Sequence, residues 1–246
     1  MMKPLLAAMR FLTIVPLPGT WGTAEDDLVR SVPWFPVIGL MFGGIAAALA
    51  WALAGVTPPM VTAAVMVVVL LCFSGCLHMD GLADTADGLL SSRPRERILE
   101  IMKDSHTGAM GVIAIVCVLL LKFASLASLP ADRVWPAALL MPLAGRCAIV
   151  VHMAILPYAR PDGLGAIFYR RPVRLAAIWA ACVLAAMAWG VLGPRGVIVW
   201  AVCMVMTLAF SAYVYRKIGG ATGDTFGAVC ELIEIVPALT LAFAAR

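Results

Sequence analysis

Apolar stretches about as long as a lipid bilayer is thick recur along the chain, in place of the three- and four-residue spacing of an amphipathic soluble helix. A transmembrane helix needs about 20 mostly apolar residues. On that ruler the candidates are residues 33–56, 59–77, 109–129, 135–157, 174–193, 196–215 and 226–244. About seven crossings are predicted, all helical, because an isolated strand cannot satisfy its backbone groups in hydrocarbon. The first two carry no charge between Arg30 and His78, whereas Glu231 and Glu234 interrupt the last, which is the weakest. No fixed-period repeat, low-complexity tract or second domain breaks the pattern. Residues 1–246 therefore read as one all-α membrane domain, a polytopic bundle with an N-terminal cytoplasmic or interfacial segment over 1–32 and a polar loop over 78–108.

Composition sharpens this. With 63% hydrophobic and 13% charged residues and a mean hydropathy of +0.99, the chain has too few polar side chains to coat a water-soluble globule. The net charge of +4 is small and scattered, which argues against nucleic acid as a partner and suits a membrane surface or phosphorylated ligands. Lys3 and Arg10 precede a short apolar run, but Pro16 and Pro18 break it and no small-residue cleavage site follows, so residues 1–32 are expected to be retained. The seven cysteines lie in or beside apolar stretches without a C-x-x-C pair and read as small buried hydrophobes. Zinc held by Cys72, Cys76 and His78 is disfavoured, because residues two apart on a helix face different ways.

Loop charge gives an orientation. The N-terminus and the loops over about 78–108, 158–173 and 216–225 share thirteen Lys and Arg residues, against three (Arg133, Arg195, Arg246) on the other side. The positive-inside rule then puts the N-terminus and the long loops in the cytoplasm, so the chemistry is expected on the cytoplasmic face.

Six of the fourteen acidic residues, and two of the three histidines, lie between His78 and His106. In HMDGLADTADGLL the aspartates are four and three residues apart, so a helix there sets Asp80, Asp84 and Asp87 on one face. Three stacked carboxylates repel one another unless a cation neutralises them. Oxygen-only ligands favour a hard ion such as Mg²⁺, which tends to bind together with substrate phosphates. Gly81 and Gly88 would let a phosphorylated ligand approach the backbone. In RPRERILEIMKD, by contrast, Arg93 to Glu100 read as an amphipathic surface helix.

At the end of the loop, MKDSHTGAMG offers Lys103 as a phosphate ligand, Asp104 as a further metal ligand or base, and Ser105 and Thr107 as caps of the next helix, whose N-terminus attracts phosphate. A second acidic set, Asp224, Glu231 and Glu234, runs from the mouth of the last span inward by about 15 Å. Intramembrane carboxylates are functional by default. Arg146 is the matching cation, read equally as a phosphate contact or as the ion-pair partner of Glu231 or Glu234. Lys122 reads as an interfacial snorkelling residue and His152 as core packing.

Together FLTIVPLPG, LHMDGLADTADGLL, MKDSHTGAMGV, PLAGRCAIVVHMAILPYAR and GDTFGAVCELIE resemble, in order and over nearly the whole chain, the cobalamin synthase family, the adenosylcobinamide-GDP ribazoletransferases. The resemblance implies a Mg²⁺-dependent membrane enzyme. In it a ribose hydroxyl of alpha-ribazole, or of its 5′-phosphate, attacks the cobinamide-side phosphorus of adenosylcobinamide-GDP and expels GMP. Transferred onto this chain, Asp80, Asp84, Asp87 and Asp104 would serve the metal, and Asp84, Asp224 and Glu231 the catalysis. Lys103, Ser105, Arg146, Gly81 and Gly88 would contact substrate. Membrane lipid surrounds such an enzyme, and self-association or contact with other corrin-pathway enzymes is left open. The alternatives are a lipid enzyme of the CDP-alcohol phosphotransferase type, whose D-G-x-x-x-D-x-x-D spacing is similar, and an ion-coupled transporter. Against the transporter stand carboxylates gathered at one face and the lack of related halves.

Overall fold

A computed structural model describes residues 2–161 and 163–244. The described residues form helices with no strand, joined by one isolated bridge between Tyr158 and Ala221. In chain order the helices are α1 (Met2–Leu12), α2 (Glu25–Val29), α3 (Phe35–Leu53), α4 (Pro59–Ser74), α5 (Leu77–Leu89), α6 (Arg95–Ile101), α7 (Ala109–Ala127), α8 (Ala131–Ile155), α9 (Arg174–Leu192), α10 (Pro194–Ile218) and α11 (Gly223–Phe243). Six of them are long and apolar enough to cross a membrane, with α3 counted from Val32; α4 and α5 make a seventh crossing if the bent pair is taken as one span. Arg246, counted above on the outer side, lies outside the described residues.

The hydrophobic pattern of the spans leaves open which of them sit inside. Burial answers this: 89% of the apolar window of α8 and 72% of that of α11 are enclosed by protein, against 22–28% for α7, α9 and α10. The two central helices carry Arg146, Glu231 and Glu234, all buried, and α8 packs closely at glycine positions. A Cβ added at Gly145 would come within 2.8 Å of Cys230 Sγ, and one at Gly39 within 2.8 Å of the Pro142 carbonyl oxygen. Lipid offers helices no hydrophobic drive to associate, so such close backbone approach supplies much of the packing. Cys147, Cys203 and Cys230 are buried in this core, but Cys72, Cys76, Cys117 and Cys182 lie on the outside of the bundle. The expectation that all seven are buried fails because a membrane protein meets apolar solvent on its exterior too.

The expected span 59–77 stops early. α4 ends at Ser74, and Gly75 (φ 56°) and Cys76 (φ 62°) are both left-handed, turning α5 by 90° from α4. A Cβ on Gly75 would collide with the Ile14 side chain, so glycine is needed there for space as well as for φ. The last span runs unbroken from Gly223 to Phe243 despite its glutamates. A capping box starts it: the Thr225 backbone N–H donates to Thr222 Oγ1 (3.3 Å) and the Thr222 N–H to Thr225 Oγ1 (2.9 Å).

The basic loops do gather at one end of the bundle. Arg95 donates to the carbonyls of Ile218 (2.8 Å) and Ala159 (2.9 Å), while Arg170 pairs with Glu25 at 2.8 Å. These contacts tie the 90–108 and 156–173 loops, the end of α10 and the N-terminal segment into one polar face.

Candidate active site

α5 lies across this polar face, against the first turns of α7 and α11. The expected helical register holds: Asp80 is exposed and Asp84 and Asp87 half-buried. Asp84 is within electrostatic range of Asp224, Asp80, Asp87 and Arg160. A Cβ on Gly81 would sit 2.7 Å from the Asp224 carbonyl oxygen, so the missing side chain is what brings the two acidic helices into contact. Gly88 likewise accommodates Met102, 2.5 Å from where its Cβ would be. Helix packing, rather than ligand approach, accounts for Gly88, and at Gly81 it adds to a place in a cavity wall.

That cavity, of about 240 Å³, opens between α5, α8, α11 and the segment after α8. Its polar wall is made by His78, Asp80, Arg160 and Asp224, and its apolar wall by Phe11, Ile149 and Phe226. Arg160 Nη2 stands 3.0 Å from Asp224 Oδ2, yet its Nε and Nη2 are buried without a properly angled hydrogen bond. The Tyr158–Ala221 bridge fixes Arg160 there: Ala159 N–H donates to the Ala221 carbonyl and Ala221 N–H to that of Pro157, each at 2.8 Å. His78 is 3% exposed and its Nε2 has no partner. Sequence reasoning missed both residues. It counted Arg160 only as a topology charge and weighed His78 only as a zinc ligand. The signal available was their position as the first polar groups beyond an apolar span.

Other candidates are placed differently. Asp87 accepts hydrogen bonds from the backbone N–H groups of Gly108 (2.7 Å) and Gly111 (2.9 Å) and so caps α7. The caps expected from Ser105 and Thr107 are absent: the helix begins at Gly108 without a local side-chain cap. Asp104 accepts from the His106 backbone N–H (3.0 Å) and pairs with its Nδ1 (2.7 Å). These bonds, the ring contact first, hold its carboxyl below the usual carboxylate range. Asp104 and His106 line a separate open depression beside Asp87 and Arg97. Lys103 and Ser105 are exposed.

Deeper in the bundle, Lys122 Nζ donates to Glu231 Oε2 (2.7 Å) and Glu234 Oε1 (3.0 Å), and Arg146 Nη1 to Glu234 Oε2 (2.6 Å). Arg146 also lies over the Phe42 ring, 5.7 Å from its centroid. Of its two readings the ion pair is the one observed. Lys122 corrects an expectation: only 1% exposed, it is a buried partner of two glutamates and not an interfacial residue. His152 is core, with Ser211 Oγ at 2.7 Å and Thr225 Oγ1 at 3.1 Å.

Among the described residues no three His, Cys, Asp or Glu side chains converge closely enough to form a ready-made metal site. In kind, however, the donors suit a hard cation. Asp80, Asp84 and Asp224 lie within electrostatic range of one another, and the nearby Arg160 offsets part of the repulsion at Asp84.

A polytopic helical bundle with aspartates gathered at one face is the architecture of a multi-pass membrane protein. The family model described as Cobalamin-5-phosphate synthase matches residues 4–242. Curated relatives called Adenosylcobinamide-GDP ribazoletransferase are similar over nearly their whole length. That of Geotalea daltonii is 38% identical over 98% of this chain and 97% of its own, and that of Roseiflexus sp. 41% over 98% and 90%. The Pseudomonas putida relative is 39% identical over 98% and 99%. No solved structure matches the chain. The chain belongs to the cobalamin-5-phosphate synthase family and is a transferase.

Proposed function

We propose that the protein is an adenosylcobinamide-GDP ribazoletransferase. A ribose hydroxyl of alpha-ribazole, or of its 5′-phosphate, attacks the cobinamide-side phosphorus. The bond from that phosphorus to the bridging oxygen breaks, GMP leaves with the bridging oxygen, and the hydroxyl proton passes to a carboxylate. The single observation that carries this reading is the aspartate cluster on the polar face: Asp84 lies within electrostatic range of Asp80, Asp87, Asp224 and Arg160, and Asp80, Asp224 and Arg160 line a cavity there. Displacement at a diphosphate demands little covalent chemistry from a protein. It demands charge neutralisation and an in-line nucleophile.

Asp80, Asp84 and Asp224 would hold Mg²⁺, which when bound neutralises diphosphate charge and lowers the barrier to loss of GMP. Asp87, by capping α7, fixes the register of the acidic face against the start of that helix. Arg160 restrains Asp224 and offers the remaining cationic donor. The basic loops support a cytoplasmic location for this face, in a bacterial inner membrane.

Purified protein given adenosylcobinamide-GDP, alpha-ribazole 5′-phosphate and Mg²⁺ should release GMP and link the ribazole to the cobinamide through the remaining phosphate, and excess EDTA should stop it. Transfer to a lipid alcohol from a CDP donor, or solute flux without GMP, would replace this reading with a lipid phosphotransferase or a carrier.

A further inference from the structure

The cavity has two walls of opposite character, and its size limits what it takes. At about 240 Å³ it falls below the roughly 300–1,000 Å³ of pockets that enclose drug-sized ligands. A corrin ring carrying a guanosine diphosphate is far larger than that and must lie largely outside. A flat aromatic base with its ribose is of the right order. We propose that this cavity seats the aromatic ribonucleoside acceptor, base inward against Phe11, Ile149 and Phe226, with Arg160 holding the acceptor's 5′-phosphate at the polar wall. The inference rests on the transfer reaction proposed above and gives one of its two substrates a place.

Four features support it. The apolar wall continues into an aromatic row, Tyr169 stacking on Phe226 at 6.4 Å and packing at 5.3 Å against Tyr158, the kind of surface that receives a π-system edge-on or face-on. Arg160 is committed to Asp224 through one nitrogen only, leaving buried donors unfilled. A buried unfilled donor costs free energy that an anionic ligand would recover. His78, more than nine-tenths buried, lines the same cavity with Nε2 unpartnered and supplies a hydrogen-bonding group beside the base or ribose. The first turn of α11 also faces the cavity, through Gly223, Asp224 and Gly227, adding the N–H end of a helix to the cationic wall. With the acceptor seated so, its ribose lies beside Asp80 and Asp224, where the attacking hydroxyl is required.

Two variants test the placement. Nothing lies within 4 Å of a Cβ built on Gly223, so Gly223→Leu should fold as the parent while filling the cavity. Its KM for both acceptors should rise at least about tenfold and its KM for adenosylcobinamide-GDP change less than about twofold. A rise confined to adenosylcobinamide-GDP would give the cavity to the donor and overturn the inference. Arg160→Ala should depress kcat for every acceptor, because Asp224 loses its partner. The diagnostic is the ratio of kcat/KM for alpha-ribazole 5′-phosphate to that for alpha-ribazole, which should fall about tenfold or more and recover in part in Arg160→Lys. An unchanged ratio overturns the role of Arg160. Direct binding of alpha-ribazole 5′-phosphate to the detergent-purified protein separates the two levels. If the parent releases no GMP but binds this ligand and Gly223→Leu does not, the reaction fails and the cavity assignment stands; if the parent neither binds nor uses it, the assignment falls as well.

Discussion

Two groups of charged residues in this molecule look alike in sequence and differ in kind. Lys122, Arg146, Glu231 and Glu234 lie within the bundle, each side chain at most 5% exposed, two cations against two anions, joined by hydrogen bonds of 2.6–3.0 Å. Asp80, Asp84, Asp87 and Asp224 lie at the polar face, four anions with one neighbouring guanidinium. The first group is electrically closed and links α7, α8 and α11; its charges are accounted for without any ligand. The second is open. An intramembrane charge is commonly read as functional, but here it is the residual imbalance, not depth, that separates a structural tie from the proposed site.

The comparison can be broken from either side. The largest effect is expected from Glu234→Ala, which strands Arg146 and half of the bonds of Lys122 in the core. Removing one partner of a buried network costs about 3–5 kcal/mol, visible as lost thermal stability in detergent. The double variant Lys122→Met with Glu231→Leu should instead lie within about 1 kcal/mol of the parent and keep its turnover. Inactivity of a folded double variant would return Glu231 to the catalytic group.

Next, Asp84→Asn should lower GMP release by about 10²–10³-fold, on the scale of losing one transition-state stabilising group, with melting temperature unchanged. Full turnover would remove the open carboxylate set from the mechanism. Asp87 sits between the two kinds. As a cap of α7, its replacement by Ala should cost about 1 kcal/mol of stability, and Asp87→Asn, which keeps an acceptor, less. A loss of activity in Asp87→Asn as deep as in Asp84→Asn would make Asp87 a metal ligand as well. The smallest effect is expected at exposed Lys103: Lys103→Ala should alter KM for adenosylcobinamide-GDP by no more than about fivefold, as befits one screened surface charge. A deeper loss would mean that the loop closes over the substrate.

What could be read from the residues divides along the same line. Spans follow from local hydropathy, and the four-and-three spacing of Asp80, Asp84 and Asp87 is a local helical property, so both were legible. The partner of Lys122 is 109 residues away, and the donors that Asp87 accepts are 21 and 24 away; no periodicity encodes such pairings. The bend after Ser74 depends on Gly75 and Cys76 turning left-handed where Ile14 crosses, a tertiary fact in an otherwise continuous apolar run. Arg160 became visible only when the short bridge to Ala221 brought its loop to the head of α11.

The contact between Gly81 and Asp224 spans most of the polypeptide. During synthesis the ribosome delivers the aspartate-rich helix early and its counterpart with the final described helix. Until then those carboxylates have no counterpart from α11 to face, and a chain stopped before residue 223 carries the motif without the pocket. The pocket at the polar face is therefore completed only once α11 has been made.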